Sequence, residues 1–270
     1  MPAVSIEQML SAGSHFGHLT RRWNPKMRDY IFMEKNGIHI IDLKKTQVCL
    51  DKALEAVRQI VSEGYEVLFV GTKPQAKEII ESEAKRCGQY FISHRWLGGM
   101  LTNFSTIKKS IKHYKNLAKM STDGTYEKIS KKERLTIDRE KDKLFQVLGG
   151  IEEMKRLPGV IFVVDTKKEH IAIREAKKMN IPVIAMIDTN ADPTEVDFPV
   201  PANDDAAKSI SLVTSAIADT VTESRQKNQE KKALDEVLRE ESRTDKDGER
   251  TKDARPRREH RPKVKKERES

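Results

Sequence analysis

The chain is poor in the features that mark secreted, membrane and redox proteins. It holds two cysteines, Cys49 and Cys87, in 270 residues, and their separation matches neither CxxC nor another metal-ligand spacing. Such usage predicts buried free thiols in a reducing compartment, not a disulfide framework. No apolar run approaches the ~20 residues of a membrane-spanning helix. The opening Met1-Pro2-Ala3-Val4-Ser5 has no basic segment leading into an apolar one, and Glu7 argues against a transit peptide, so cytoplasmic residence is expected. Nucleotide-binding glycine patterns are missing too. Val70-Gly71-Thr72-Lys73-Pro74 has one glycine where G-x-G-x-x-G or the Walker spacing needs more, which favours a structural turn with Thr72 as cap.

Charge is what the chain has in quantity: 34% of residues, with a net +9. Residues 104–157 carry 14 Lys/Arg against 8 Asp/Glu, residues 226–270 carry 16 against 12, and the remainder nets −1. A basic excess confined to two segments suits elements that meet a polyanion, with simple solubilisation as the alternative.

Taken in order, Ser5-Ile6-Glu7-Gln8 reads as a capping box opening a short helix that stops at Gly13. Residues 14–27 read as an irregular loop, because Gly17, Asn24-Pro25 and clustered cations break every period, while Phe16, Trp23 and Met27 argue against disorder. Residues 30–43 predict a hairpin turning at Asn36-Gly37. Strands are predicted at 66–71, 90–92, 159–165 and 182–188, with an edge strand at 198–201 whose two prolines exclude a central position. Helices are predicted at 44–62, 74–86, 169–179 and from Asp204 or Asp205 onward. Continuous Val/Ile strands alternating with amphipathic helices specify an α/β fold, a Rossmann-like or flavodoxin-like mostly parallel sheet covered on both faces.

The alternation is interrupted at His94-Arg95-Trp96-Leu97-Gly98-Gly99-Met100-Leu101-Thr102-Asn103, where paired glycines allow close backbone approach and the end suits a helix cap. Beyond it, Phe104, Ile107, Ile111, Tyr114 and Ala118, then Ile137, Leu144, Leu148 and Ile151, step by threes, fours and sevens. With turn chemistry at 121–125 and a second capping box at Ser130, these predict an inserted antiparallel helical hairpin. Its first limb bears Lys108, Lys109, Lys112, Lys115 and Lys119 and no acid, whereas a solvated helix usually mixes signs. Residues 226–270 have no aromatic and few apolar side chains, and are expected to be a disordered charged tail whose first part, through Leu238, extends the last helix.

Both tryptophans follow arginine, in Arg21-Arg22-Trp23 and Arg95-Trp96, a pairing suited to phosphates and splayed bases; the rings are expected to pack inside while the arginines reach out. Asp165, Asp188, Asp192, Asp204 and Asp205 cluster after strands and could hold Mg²⁺, or simply cap the turns that follow. No nucleophile or paired base accompanies them, so neither catalysis nor a metal is assigned, and the metal question at Asp165, Asp188, Asp204 and Asp205 stays open. His15 and His18, three apart around Gly17, are read as loop-packing or RNA-contacting residues and not as a metal pair.

Several segments carry a resemblance: Gly13-Ser14-His15-Phe16-Gly17-His18, Trp23-Asn24-Pro25-Lys26-Met27, Val70-Gly71-Thr72-Lys73, Arg95 through Asn103, and Leu157-Pro158 through Asp165 with Glu175-Ala176. In this order, over roughly residues 4–224, the chain resembles the ribosomal protein S2 family of the bacterial small subunit. The resemblance implies a flavodoxin-like domain with a projecting coiled-coil hairpin, seated on the solvent side where head meets body. It further implies contact with small-subunit ribosomal RNA, neighbouring ribosomal proteins and the large RNA-binding protein S1, with no enzymatic activity and no cofactor.

The expected organisation is therefore a first α/β part (1–103), the hairpin (104–157), a second α/β part (158–225) and the tail (226–270). Arg21, Arg22, Trp23, Lys26, Arg95, Trp96, Lys108, Lys109, Lys112, Lys115 and Lys119 are the candidate RNA contacts. Two alternatives stand beside this reading: an α/β enzyme binding a nucleotide or sugar phosphate, and a free nucleic-acid-binding regulator.

Overall fold

The computed structural model describes residues 3–120, 123 and 130–252, with side chains described through Glu230. Ser5 caps α1 (Ile6–Ser11): its hydroxyl accepts from the Gln8 amide while the Gln8 side chain accepts from the Ser5 amide, the reciprocal pair expected. The following stretch is more ordered than a loop. It contains β1 (Phe16–Leu19) and two 3-10 turns, Thr20–Arg22 and Pro25–Tyr30, the second capped by the Asn24 side chain. β1 has no local signature because its partner lies later in the chain. It pairs antiparallel, with an irregular register, with β3 (Ile38–Ile41), which also pairs with β2 (Ile31–Lys35) about the expected Asn36-Gly37 turn.

The second sheet is all parallel, built from β4 (Val67–Val70), β5 (Tyr90–Ile92), β6 (Val160–Val164), β7 (Val183–Ile187) and β8 (Phe198–Pro201) in the order β5-β4-β6-β7-β8. Numbered within the sheet this is 2-1-3-4-5, the flavodoxin-like order, and its direction of winding reverses between β4 and β6. Every residue of β4, β6 and β7 is buried, which is why these runs do not alternate in polarity. The two-residue pleat divides them between two cores. Val67, Phe69, Phe162 and Ile184 pack with α2 (Leu43–Ser62), α3 (Lys77–Arg86) and α7 (Ala207–Lys252), whereas Leu68, Val70, Ile161 and Val163 pack with α6 (His170–Lys178) and residues 96–111. Proline-bearing β8 is the edge strand, as predicted.

Three boundaries differ from the sequence reading. α3 begins at Lys77, since residues 74–76 form a turn in which the Lys73 carbonyl accepts the Ala76 and Lys77 amides. The turn into α7 is made by Asn203, whose side chain accepts the Asp205 and Ala206 amides; Asp204 and Asp205, expected to start the helix, reach Lys73 instead. α7 then continues to Lys252, beyond both the boundary expected at Gln226 and the extension expected through Leu238. The chain divides into two units, Met1–Gln226 and Lys227–Ser270. The turn predicted at 121–125 lies outside the described residues except for Asp123, as do residues 253–270 of the tail.

The insertion forms α4 (Phe104–Met120) and α5 (Lys131–Leu148), with Ser130 capping α5 through the Glu133 amide. Both cysteines are free thiols; Cys87 is buried, and burial pushes its thiol up to about 11, while Cys49 is half-buried. No described helix is long and apolar enough to cross a membrane.

Gly17 brings β1 against the end of β7. A Cβ there would meet the Thr189 side chain at 2.6 Å and the His39 carbonyl at 2.9 Å. Gly17→Ala should therefore cost about 1–3 kcal/mol in a denaturant melt.

Candidate nucleic-acid interface

The segment joining sheet to insertion is held by one carboxylate. Glu175 accepts hydrogen bonds from Trp96 Nε1 (3.1 Å), the amides of Gly99 (2.7 Å), Leu101 (3.0 Å) and Thr102 (3.1 Å), and the Thr102 hydroxyl (3.1 Å). Burial would raise its pKa, but the backbone donors and the Trp96 indole outweigh that and leave it lowered. Sequence reasoning assigned Glu175 no role. The available signal was a lone acid on the face of α6 formed by Ala172, Ile173 and Ala176, all buried.

Of the paired glycines, Gly99 has φ +91° and so needs to be glycine, whereas a Cβ on exposed Gly98 would meet nothing within 4 Å. The close approach expected of Gly98 is therefore not to another described part of this chain.

Ile107 and Ile111 of α4 join Trp96, Met100, Leu101, Leu148, Ile151 and Met154 in one buried cluster, which roots the insertion on the sheet. Farther out, Tyr114 stacks on Phe145 with centroids 6.0 Å apart and His113 meets Glu140 at 2.9 Å. The two helices thus run antiparallel side by side.

The lysines of α4 are not equivalent, contrary to the uniform stripe expected. Lys108 donates to the Lys155 carbonyl at 2.6 Å and lies over the Phe104 ring; Lys115 pairs with Glu153 at 2.6 Å and Glu152 at 3.5 Å. The first limb has no acid of its own, but the segment after α5 supplies two. Lys109, Lys112 and Lys119 are exposed.

Arg21, Arg22 and Arg95 are exposed as well. Trp96 is buried, 6% exposed, with its N–H engaged by Glu175, so it has no ring face to offer a base. Trp23 departs from expectation in the other direction: it is 37% exposed, tilted against His39 at 5.1 Å. Lys26 is committed internally, to Asp192 at 2.6 Å and the Thr194 hydroxyl at 3.2 Å. Burial raises the Asp192 pKa, but Lys26 and Thr194 outweigh it and hold it at about 2.

The strand-end crevice, where open α/β sheets commonly bind phosphates, has the opposite character. Lys73 follows β4 and its ammonium is enclosed by Asp204 (2.7 Å), Asp205 (2.8 Å) and Asp165 (3.0 Å). The Thr72 amide and hydroxyl donate to the Glu169 carboxylate. Burial, then Asp188 and Asp165, raise Asp204 to about 7. The carboxylates repel a phosphate and the lysine that could hold one is already paired with them, which weighs against the nucleotide-binding alternative.

Glu175→Gln presents an amide NH₂ to donors, and should cost about 2–4 kcal/mol in a denaturant melt. Because the folded pKa of Glu175 is depressed, its contribution is complete above the ordinary carboxylate pKa and is lost as pH falls through the folded value. The variant should therefore lack part of the wild type's loss of stability on acidification. Gly99→Ala should cost about 1–3 kcal/mol, and Gly98→Ala should stay within about 0.5 kcal/mol of wild type by the same melt.

The family described as ribosomal protein S2 matches residues 9–224. Among curated relatives, the small ribosomal subunit protein uS2 of Chlorobaculum parvum is 58% identical over 237 residues, covering 88% of this chain and 94% of the relative. The uS2 of Cytophaga hutchinsonii is 61% identical over 214 residues, 79% of this chain and 84% of that one. With a winding order, a basic insertion and a match over most of the chain that agree, the chain belongs to the ribosomal protein S2 family.

Proposed function

We propose that this chain is a structural constituent of the small ribosomal subunit that binds ribosomal RNA through exposed cations on three segments of its surface. It is not an enzyme, as befits its family. The observation that carries the RNA reading is the set of exposed cations: Arg21 and Arg22 on the 3-10 turn after β1, Arg95 before the Glu175-held segment, and Lys109, Lys112 and Lys119 along α4. Trp23, partly exposed beside Arg22, supplies a ring that a base can stack on. Lys26, Lys108 and Lys115 contribute mainly to holding the protein's own shape. In this reading α4 and α5 are the limbs of a coiled-coil arm at the junction of head and body, and the sheet domain offers surface to neighbouring ribosomal proteins, including S1. The protein then works in the cytoplasm, on the ribosome.

Lys109→Glu with Lys112→Glu alters no intramolecular contact described above. The double variant should melt like wild type yet incorporate poorly when small subunits are reconstituted from their parts. Binding to small-subunit RNA should weaken steeply with salt, and the log–log slope should fall by about one for each phosphate contact removed. Undiminished incorporation would remove the arm from the RNA interface.

A further inference from the structure

We propose that the outward face of α6, carrying Arg174, Lys177 and Lys178, forms with the bare turn at Gly98 a further seat for the sugar-phosphate backbone of ribosomal RNA. The inference rests on the RNA-binding reading above. It adds a surface separate from α4 and from the turn after β1.

Residues 167–178 hold five Lys/Arg and two Glu, so in sequence two of the five cations are cancelled. Folding removes both acids from the surface. Glu169 is 3% exposed and accepts from the Thr72 amide and hydroxyl, while Glu175 is 8% exposed and is turned inward to Trp96 and the amides of Gly99, Leu101 and Thr102. Lys167, Lys168, His170, Arg174, Lys177 and Lys178 are all exposed, so every formal charge that this segment shows to solvent is positive. Helix α3 shows how a solvated helix answers its cations instead: Lys85 pairs with Glu81 at 2.6 Å and Arg86 with Glu83 at 2.5 Å. The side chains of Arg174, Lys177 and Lys178 have no ion pair among the described residues.

That arrangement is unfavourable in the isolated chain. Arg174 stands three and four residues from Lys177 and Lys178, spacings at which like charges destabilise a helix. The helix dipole favours the two lysines in the last turn, but Arg174 lies a turn earlier. A polyanion against this face turns repulsion into attraction. A protein partner is the poorer fit, because α6 exposes Ile171 as its one apolar side chain and has no Phe, Tyr or Trp.

Gly98 supplies an independent observation. Glu175 draws the Gly99 amide to 2.7 Å and so pins this turn to the residue that follows Arg174. Gly98 is exposed, its φ lies outside the left-handed region, and a Cβ on it would meet nothing within 4 Å. Neither its backbone nor its packing within the chain calls for glycine. A residue without a side chain, next to cations that nothing answers, fits the close approach of an external phosphate.

The test uses the full chain and small subunits reconstituted without it, with binding measured across a salt series and a denaturant melt of each variant as control. Arg174→Gln with Lys178→Gln should melt like wild type, bind roughly tenfold more weakly and lower the log–log salt slope by about two. Lys44→Gln with Lys52→Gln removes the same charge from α2, where Asp51 and Glu55 are exposed too, and should stay within about twofold of wild type. Gly98→Val should melt close to wild type and bind several-fold more weakly. A photocrosslinker carried on Lys177→Cys, in a Cys49→Ser chain, should join to ribosomal RNA. The proposal is overturned if the α6 glutamine pair binds no more weakly than the α2 pair, or if the crosslinks reach ribosomal proteins alone. Should Gly98→Val unfold, those two measurements decide. Lys109→Glu with Lys112→Glu keeps the arm separate: a weakened arm variant beside an unaffected α6 pair overturns this inference alone, and the converse pattern upholds it while removing the arm.

Discussion

The insertion is aimed by the buried Glu175 carboxylate, which gathers five donors from residues 96–102. An ionised group out of water is tolerable only when its oxygens are fully met, and this segment meets them with three backbone amides that no regular element uses. The same grip orients Trp96, Met100 and Leu101 into the cluster that receives Ile107, Ile111 and Leu148. Compact sheet and long helices are thereby joined by a closed polar knot beside a dry apolar one.

Electrostatics divides the molecule in a complementary way. At the strand ends, carboxylates outnumber cations, and Lys73 is consumed in holding Asp165, Asp204 and Asp205 together. Among the exposed cations are those on the turn after β1, Arg95 and those on the outer face of α4. A fold whose relatives commonly bind anions at the strand ends here has its candidate RNA-contacting cations elsewhere, on irregular and inserted segments. The ribosomal family to which the chain belongs is consistent with that displacement.

Much of the fold was legible locally. The capping box at Ser5, the Asn36-Gly37 turn and the apolar runs of β4, β6 and β7 need only near neighbours to declare themselves. β1 did not, since four residues including a glycine become a strand only through pairing with β3. The candidate site was legible in composition and not in detail. Lys108 and Lys109 are adjacent in sequence, alike in chemistry and both exposed, yet of the two it is Lys108 that donates to the Lys155 carbonyl. Trp23 and Trp96 carry the same Arg-Trp pattern and end on opposite sides of the burial boundary.

The sequence by itself determined the α/β class, the site of the insertion, the basic character of α4 and the edge position of β8, because each follows from periodicity, charge or a missing amide within a few residues. Tertiary structure alone decided which cations are paired within the chain, that Glu175 holds the joining segment, and that His18 meets Asp188. Those outcomes depend on pairs some 40 to 170 residues apart in sequence. A side chain's charge is local information, but whether that charge is already answered is known only once the chain has folded back upon itself.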